Sequence, residues 1–181
     1  MNKGRIEVVC GPMFSGKSEE LLRRLKRADI AKRKYQLFKP AIDTRYSETE
    51  VVSHSGQKLS CTPLANAHEI VERVDEDTKI VAIDEAQFFD LRLIATVLEL
   101  ADRGHRVVVA GLDMDSFGLP FGPVPQLLAV AEQVTKLTAV CEECGDAATH
   151  TYRHEGCVTS QVLLGEKDSY EARCREHWRP A

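Results

Sequence analysis

The octapeptide Gly11-Pro12-Met13-Phe14-Ser15-Gly16-Lys17-Ser18 constrains this chain more than any other stretch. It satisfies G-x-x-x-x-G-K-S, a loop whose glycines let successive backbone N–H groups turn inward around a polyphosphate. Lys17 can then reach the β- and γ-phosphates, and the Ser18 hydroxyl can ligate Mg²⁺. The β-prone run Ile6-Glu7-Val8-Val9-Cys10 leads into the loop, and Leu21, Leu22, Leu25 and Ala28 follow it at helical spacing. The loop therefore opens a helix, whose N-terminal dipole adds to the attraction for an anion. Strand, loop and helix in this order predict a nucleoside triphosphate site.

Further β-prone runs over 35–38, 79–83, 106–110 and 134–137 join the one over 6–10. Between them lie stretches with helical spacing over 19–34, 65–74, 91–103 and 125–131, with Pro125 suited to a first turn and Gly104 to a helix end. This alternation predicts an α/β fold, a P-loop NTPase-like parallel sheet flanked by helices. Residues 40–64 are polar and rich in turn formers, and read as a loop or irregular hairpin. After Val140 cysteine, histidine and charge replace the alternating pattern. The expected division is a nucleotide-binding domain over 1–140 and a small C-terminal metal-binding domain over 141–181.

A formal charge of −4 argues against a polynucleotide as the principal partner. No apolar run approaches the roughly 20 residues of a membrane span. Only Arg5 to Cys10 separate Met1-Asn2-Lys3-Gly4 from the phosphate loop, which predicts no secretory signal and a cytoplasmic protein. Its six cysteines are then expected as thiols or metal ligands rather than disulfides.

Two clusters carry further chemistry. The apolar run over 79–83 ends in Asp84-Glu85, and α/β sheets bind ligands beyond the carboxyl ends of their strands. Asp84 is placed to hold the Mg²⁺ of the nucleotide, and Glu85 is a candidate general base. That base could activate water, as in an ATPase, or accept a proton from a substrate hydroxyl, as in a kinase. Cys141-x₂-Cys144 and Cys174-x₂-His177 supply three thiolates and an imidazole, a closed tetrahedral set that suits structural Zn²⁺ and would clamp the segment between the pairs. Cys10, Cys61 and Cys157 fall outside this pattern; Cys10 is expected to pack at a strand end.

Together the phosphate loop with its Met-Phe pair, the string Asp84-Glu85-Ala86-Gln87-Phe88-Phe89 and the two ligand pairs resemble the zinc-containing class of thymidine kinases, from Gly11 to His177. The resemblance implies transfer of the γ-phosphoryl of ATP to the 5′-hydroxyl of thymidine, with Mg²⁺ on the nucleotide, structural zinc, feedback by thymidine triphosphate and a homotetramer. It makes Glu85 the base that takes the 5′-hydroxyl proton, puts Lys17 and Ser18 on the phosphates and metal, and groups Asp84, Glu85, Ala86 and Gln87 with the nucleotide-binding loop. Asp43-Thr44-Arg45 matches a family string, and Arg45 is thereby expected to neutralise charge on the transferring phosphoryl. Met13, Phe88, Leu112, Thr151 and Tyr170 are implied around the base and sugar. Backbone groups of Ser160, Gln161, Val162, Leu163, Leu164 and Gly165 are implied on the base edge, in a lasso that closes over the substrate. The chain departs from the family at Ser116, where many members carry Phe and where Phe117 follows, and at Glu166, where small residues are common.

A rival reading is a small P-loop ATPase or DNA-dependent motor, because Asp84-Glu85-Ala86-Gln87 also resembles helicase acidic motifs. It would use water as the nucleophile, but the chain lacks length for a second motor domain and lacks basic excess.

Overall fold

The computed structural model describes residues 4–42, 50–52, 58–154 and 169–180. In chain order the elements are β1 (Arg5–Cys10), α1 (Lys17–Ile30), β2 (Tyr35–Pro40), β3 (Glu50–Val52), β4 (Lys58–Ser60), β5 (Thr62–Leu64), α2 (Glu69–Arg73), β6 (Ile80–Ile83), α3 (Arg92–Asp102), β7 (Arg106–Gly111), α4 (Val124–Val130), β8 (Gln133–Lys136), β9 (Ala139–Val140), β10 (Ala147–Ala148), β11 (His150–Arg153) and β12 (Tyr170–Arg173). A 3₁₀ turn, Ala86–Phe88, lies between β6 and α3.

Six strands form one sheet in the order β5-β2-β6-β7-β1-β8, every pairing parallel. Helices cover both faces, so the central strands read as continuous apolar runs. Along β1 the side chains alternate. Ile6, Val8 and Cys10 pack with Val81, Ile83, Val107, Val109, Leu93, Val97 and Leu127 on the face of α3 and α4. Val9 packs with Ala82, Val108, Leu21, Leu22 and Leu25 on the face of α1.

Glu7 belongs to the α1 face too and is a buried carboxylate. Its oxygens accept hydrogen bonds from Arg24 Nη1 at 2.9 Å, Arg106 Nε at 2.7 Å and Arg5 Nε at 2.6 Å. Burying a charge is tolerable only when it is paired in this way.

The structure revises several of the expected bounds, most by one or two residues. The first helix stops at Ile30 rather than 34, because Lys32 takes a left-handed φ of 50° and the Arg33 N–H turns back to the Ala28 carbonyl. The second helix starts at Glu69 rather than 65, where the Glu69 carboxylate accepts from the backbone N–H and side-chain amide of Asn66. The stretch over 40–64 contains the antiparallel β3–β4 pair, in keeping with a hairpin, but also the unexpected edge strand β5, which runs parallel to β2. Finally, β8 lies one residue earlier than expected. Beyond it, β9 pairs with β10 and β11 with β12, both antiparallel, around a small core of Ala139, Cys141, Ala148 and Ala172.

Candidate active site

The phosphate loop leaves the carboxyl end of β1 and enters α1. Gly11 adopts φ 144°, and a Cβ there would lie 2.5 Å from the Leu137 carbonyl oxygen, so only glycine fits. Gly16 caps α1 at φ 82°. Phe14 holds the left-handed φ of 64°, uncommon for a bulky residue, and its ring packs against the small C-terminal core. The Met13 N–H donates to Thr151 Oγ1 at 3.0 Å, so strand β11 holds the loop from the other side. Within the loop Ser15 Oγ and Lys17 Nζ donate to the Pro12 carbonyl at 2.8 and 2.7 Å.

Strand β6 delivers the acids. Between β1 and β6 lies β7, and across it Ser18 Oγ donates to Asp84 Oδ2 at 3.1 Å. Asp84 is buried, and its other oxygen accepts from the Glu85 N–H at 2.9 Å. Burial and the neighbouring charge of Glu85 push the Asp84 carboxyl up to about 7, against the pull of the Glu85 N–H, the Ser18 hydroxyl and Lys17. A buried carboxyl beside a hydroxyl, pressed toward neutrality, is the hard-oxygen environment that a divalent cation would relieve.

Glu85 itself sits at φ 50°, ψ 40°, a left-handed conformation that glutamate rarely adopts. Strain of this kind persists only where the surroundings over-determine it. One constraint is Gln87, 3% exposed. Its Nε2 donates to Glu85 Oε2 at 2.5 Å and its Oε1 accepts from the Leu112 N–H at 3.0 Å. Two glycines make room for it: a Cβ on Gly111 would lie 2.9 Å from Oε1, and one on Gly122 would lie 2.4 Å from the Gln87 carbonyl oxygen. Gln87 thus bridges the acid to the end of β7, a role its position in the acidic string did not reveal.

On the expected nucleoside side, the Phe88 ring meets Phe121 edge-on at 5.9 Å. Tyr170 is buried and opposes Arg153 across β11 and β12, two positions along from the Thr151–Ala172 pair. Ser116 is buried and Phe117 half-buried, its N–H donating to Asp115. Arg45 and all six residues over 160–165 lie outside the described residues, as does Glu166.

Cys141, Cys144, Cys174 and His177 come together with all ligand atoms within 4.8 Å of one another. Cys144 Sγ and Cys174 Sγ are 3.8 Å apart, and Cys174 Sγ lies 3.2 Å from His177 Nδ1. Zinc–sulfur bonds near 2.3 Å in a tetrahedron give an edge of about 3.8 Å, so the set fits structural zinc. The Cys174 thiol is lowered, chiefly by the backbone N–H of His177. Cys141 falls to about 6, its burial being outweighed by backbone N–H donors from Cys174, Cys144 and Glu143. At Cys144 the backbone N–H of Asp146 is outweighed by burial, the neighbouring thiols and the Asp146 carboxyl, which push the thiol up to about 12, whereas at Cys141 and Cys174 such donors favour the thiolates that a metal requires. Cys10, by contrast, is buried and pushed up to about 11 by burial and Asp113, which leaves it an inert core thiol.

Trp178 follows the cluster directly and was not singled out by any motif. Its indole stacks on His150 with centroids 4.6 Å apart, and Nε1 donates to the Thr151 carbonyl at 3.1 Å. Gly118 lies against its ring, where a Cβ would be 2.7 Å from Cη2. One contiguous path therefore runs from the Cys₃His cluster through Trp178 and Thr151 to the phosphate loop.

The parallel sheet, phosphate loop and rim acids define a nucleotide-binding α/β protein of the P-loop kind, with a Cys₃His cluster near its C-terminus. The chain belongs to the thymidine kinase family, whose model, described as thymidine kinase, matches residues 4–178. Membership makes it an enzyme and implies thymidine and ATP as its substrates. Among the described residues no helix is long and apolar enough to cross a membrane.

Proposed function

We propose that the chain moves the γ-phosphoryl group of ATP to the 5′-hydroxyl of thymidine, giving thymidine monophosphate and ADP. The observation that carries the reading is the pose of Glu85, a carboxylate locked by Gln87 at the strand end that also carries the Ser18–Asp84 pair. Phosphoryl transfer asks chiefly for positioning and charge stabilisation, with a base for the attacking hydroxyl.

In this account the loop residues Gly11, Pro12, Met13, Phe14, Ser15 and Gly16 cradle the polyphosphate with their backbone, and Lys17 and Arg45 balance its charge. Ser18 and Asp84 would hold Mg²⁺, which when bound screens the β- and γ-phosphates. The 5′-oxygen of thymidine attacks the γ-phosphorus as the bond to the β–γ bridging oxygen breaks, and Glu85 takes the hydroxyl proton. Met13, Phe88, Leu112, Thr151 and Tyr170 would enclose the base and sugar, and residues 160–165 would meet the base edge through their backbone. Residues 141–181 would act as a zinc-pinned lid that excludes water, which otherwise competes as acceptor. The same reading includes a cytoplasmic homotetramer restrained by thymidine triphosphate.

A panel of ribo- and deoxynucleosides with ATP and Mg²⁺, scored for monophosphate, tests the reaction. Thymidine should give product and stimulate ADP release with no polynucleotide present. Release stimulated by DNA and indifferent to thymidine would replace this reading with that of a motor ATPase.

A further inference from the structure

The edge of the sheet opposite the phosphate loop has its own chemistry. There β1, β6 and β7 begin and α1 and α3 end, and Arg5, Lys32, Arg33, Lys79, Arg103 and Arg106 line a cavity of about 690 Å³. Small-molecule sites span roughly 300–1,000 Å³.

Three carboxylates reach this set. Glu7 holds Arg5 and Arg106 but is shared with Arg24, and Glu99 holds Arg103. Among the described residues Lys32 and Arg33 meet no carboxylate, and Lys79 faces the charge of exposed Asp77. The carboxyl ends of α1 and α3 contribute about half a negative charge each, too little to cancel the remainder. A chain with a formal charge of −4 thus concentrates uncompensated cations in one concavity.

The lining also limits what could sit there. Apart from the six cations it consists of Gly4 and Gly104, so it offers no aromatic ring or apolar side chain to a base or an acyl chain, only the stems of the cations themselves. Guanidinium forks and ammonium groups without an apolar platform suit phosphate oxygens. The cavity is compact, unlike the extended basic stripe that tracks a polynucleotide.

We propose that this cavity is a second anion site, which takes a compact polyphosphate group, whether free inorganic polyphosphate or the triphosphate end of a nucleotide. It lies one strand length, about 17 Å, from the phosphate loop, and stands independently of the phosphotransfer reading.

Calorimetric titration of the full chain with magnesium-free tripolyphosphate tests it. The native chain should show two sites, one at each end of β1. Lys17→Ala should retain the cavity site, and the double variant Lys32→Ala/Arg33→Ala should weaken it at least about tenfold through loss of two screened charge contacts. The double variant in the native background should fall from two sites to one, a count that does not depend on the Lys17 variant folding. Both altered residues are exposed, and thymidine phosphorylation should be unchanged. In the Lys17→Ala background, tripolyphosphate and ATP should both bind while AMP should not if the polyphosphate group alone is recognised; tripolyphosphate binding without ATP binding would narrow the ligand to the free inorganic form. One site in the native chain, unchanged binding in the double variant, or tighter binding of a single-stranded oligonucleotide than of tripolyphosphate would overturn the proposal.

Discussion

Replacing Gln87 by Leu keeps roughly the same volume and removes the hydrogen bond from Gln87 to the Glu85 carboxylate together with the Leu112 N–H bond that anchors the Gln87 amide. The Leu112 N–H then loses its acceptor in a half-buried site, which costs about 1–3 kcal/mol. The Glu85 carboxylate is half-exposed and recovers part of its loss from water. A net destabilisation of about 2 kcal/mol follows, or roughly 4–8 °C in Tm for a chain of this size. The effect on turnover has a separate origin. A hydrogen bond to a charged group is worth about 1.5–3 kcal/mol, which corresponds to roughly 10- to 100-fold in kcat if all of it serves to orient the base. Steady-state kinetics with saturating thymidine should show that fall, while KM for ATP stays within about twofold because Gln87 donates to no loop atom. Calorimetry gives the Tm on the same sample. A lowered Tm with unchanged kcat would make Gln87 a packing residue alone and refute the orienting role.

Glu7→Gln should destabilise the fold by about 1.5–3 kcal/mol at pH 7, because buried Arg24 loses one of its two carboxylate partners and keeps only Glu20, at 2.8 Å. Burial pushes the Glu7 carboxyl up, but the hydrogen bonds and charges of Arg106 and Arg5 prevail and hold it below its ordinary 4.5. Its stabilisation is therefore complete above that value and is lost as pH falls through the depressed one, so denaturant midpoints of native and variant chains should converge below about pH 4.5. Cys174→Ala should cut bound zinc from one equivalent to well below half and weaken thymidine affinity; undiminished zinc would reject the Cys₃His ligand set.

Much of this was legible because the signals are local. The run over 6–10, the loop over 11–18 and the start of α1 are consecutive, and each zinc pair is spaced by two residues, so composition and order suffice. What escaped depends on partners far along the chain or on weak local code. Strand β5 is three residues long and contains Pro63, and only its pairing beside β2 makes it a strand. The first helix ends on a left-handed lysine, where no glycine announces the stop. The Glu7 network unites residues 17 and 99 positions apart. Trp178 acquires its place only when His150, Thr151 and Gly118 fold around it.

The assignment of Glu85 as the proton acceptor bears the most weight. Single-turnover phosphorylation of thymidine by Glu85→Gln, set beside ATP affinity measured on the same protein, tests it directly. The account predicts a rate lower by about 10²–10⁴-fold with ATP binding retained. A rate near that of the native enzyme would contradict it.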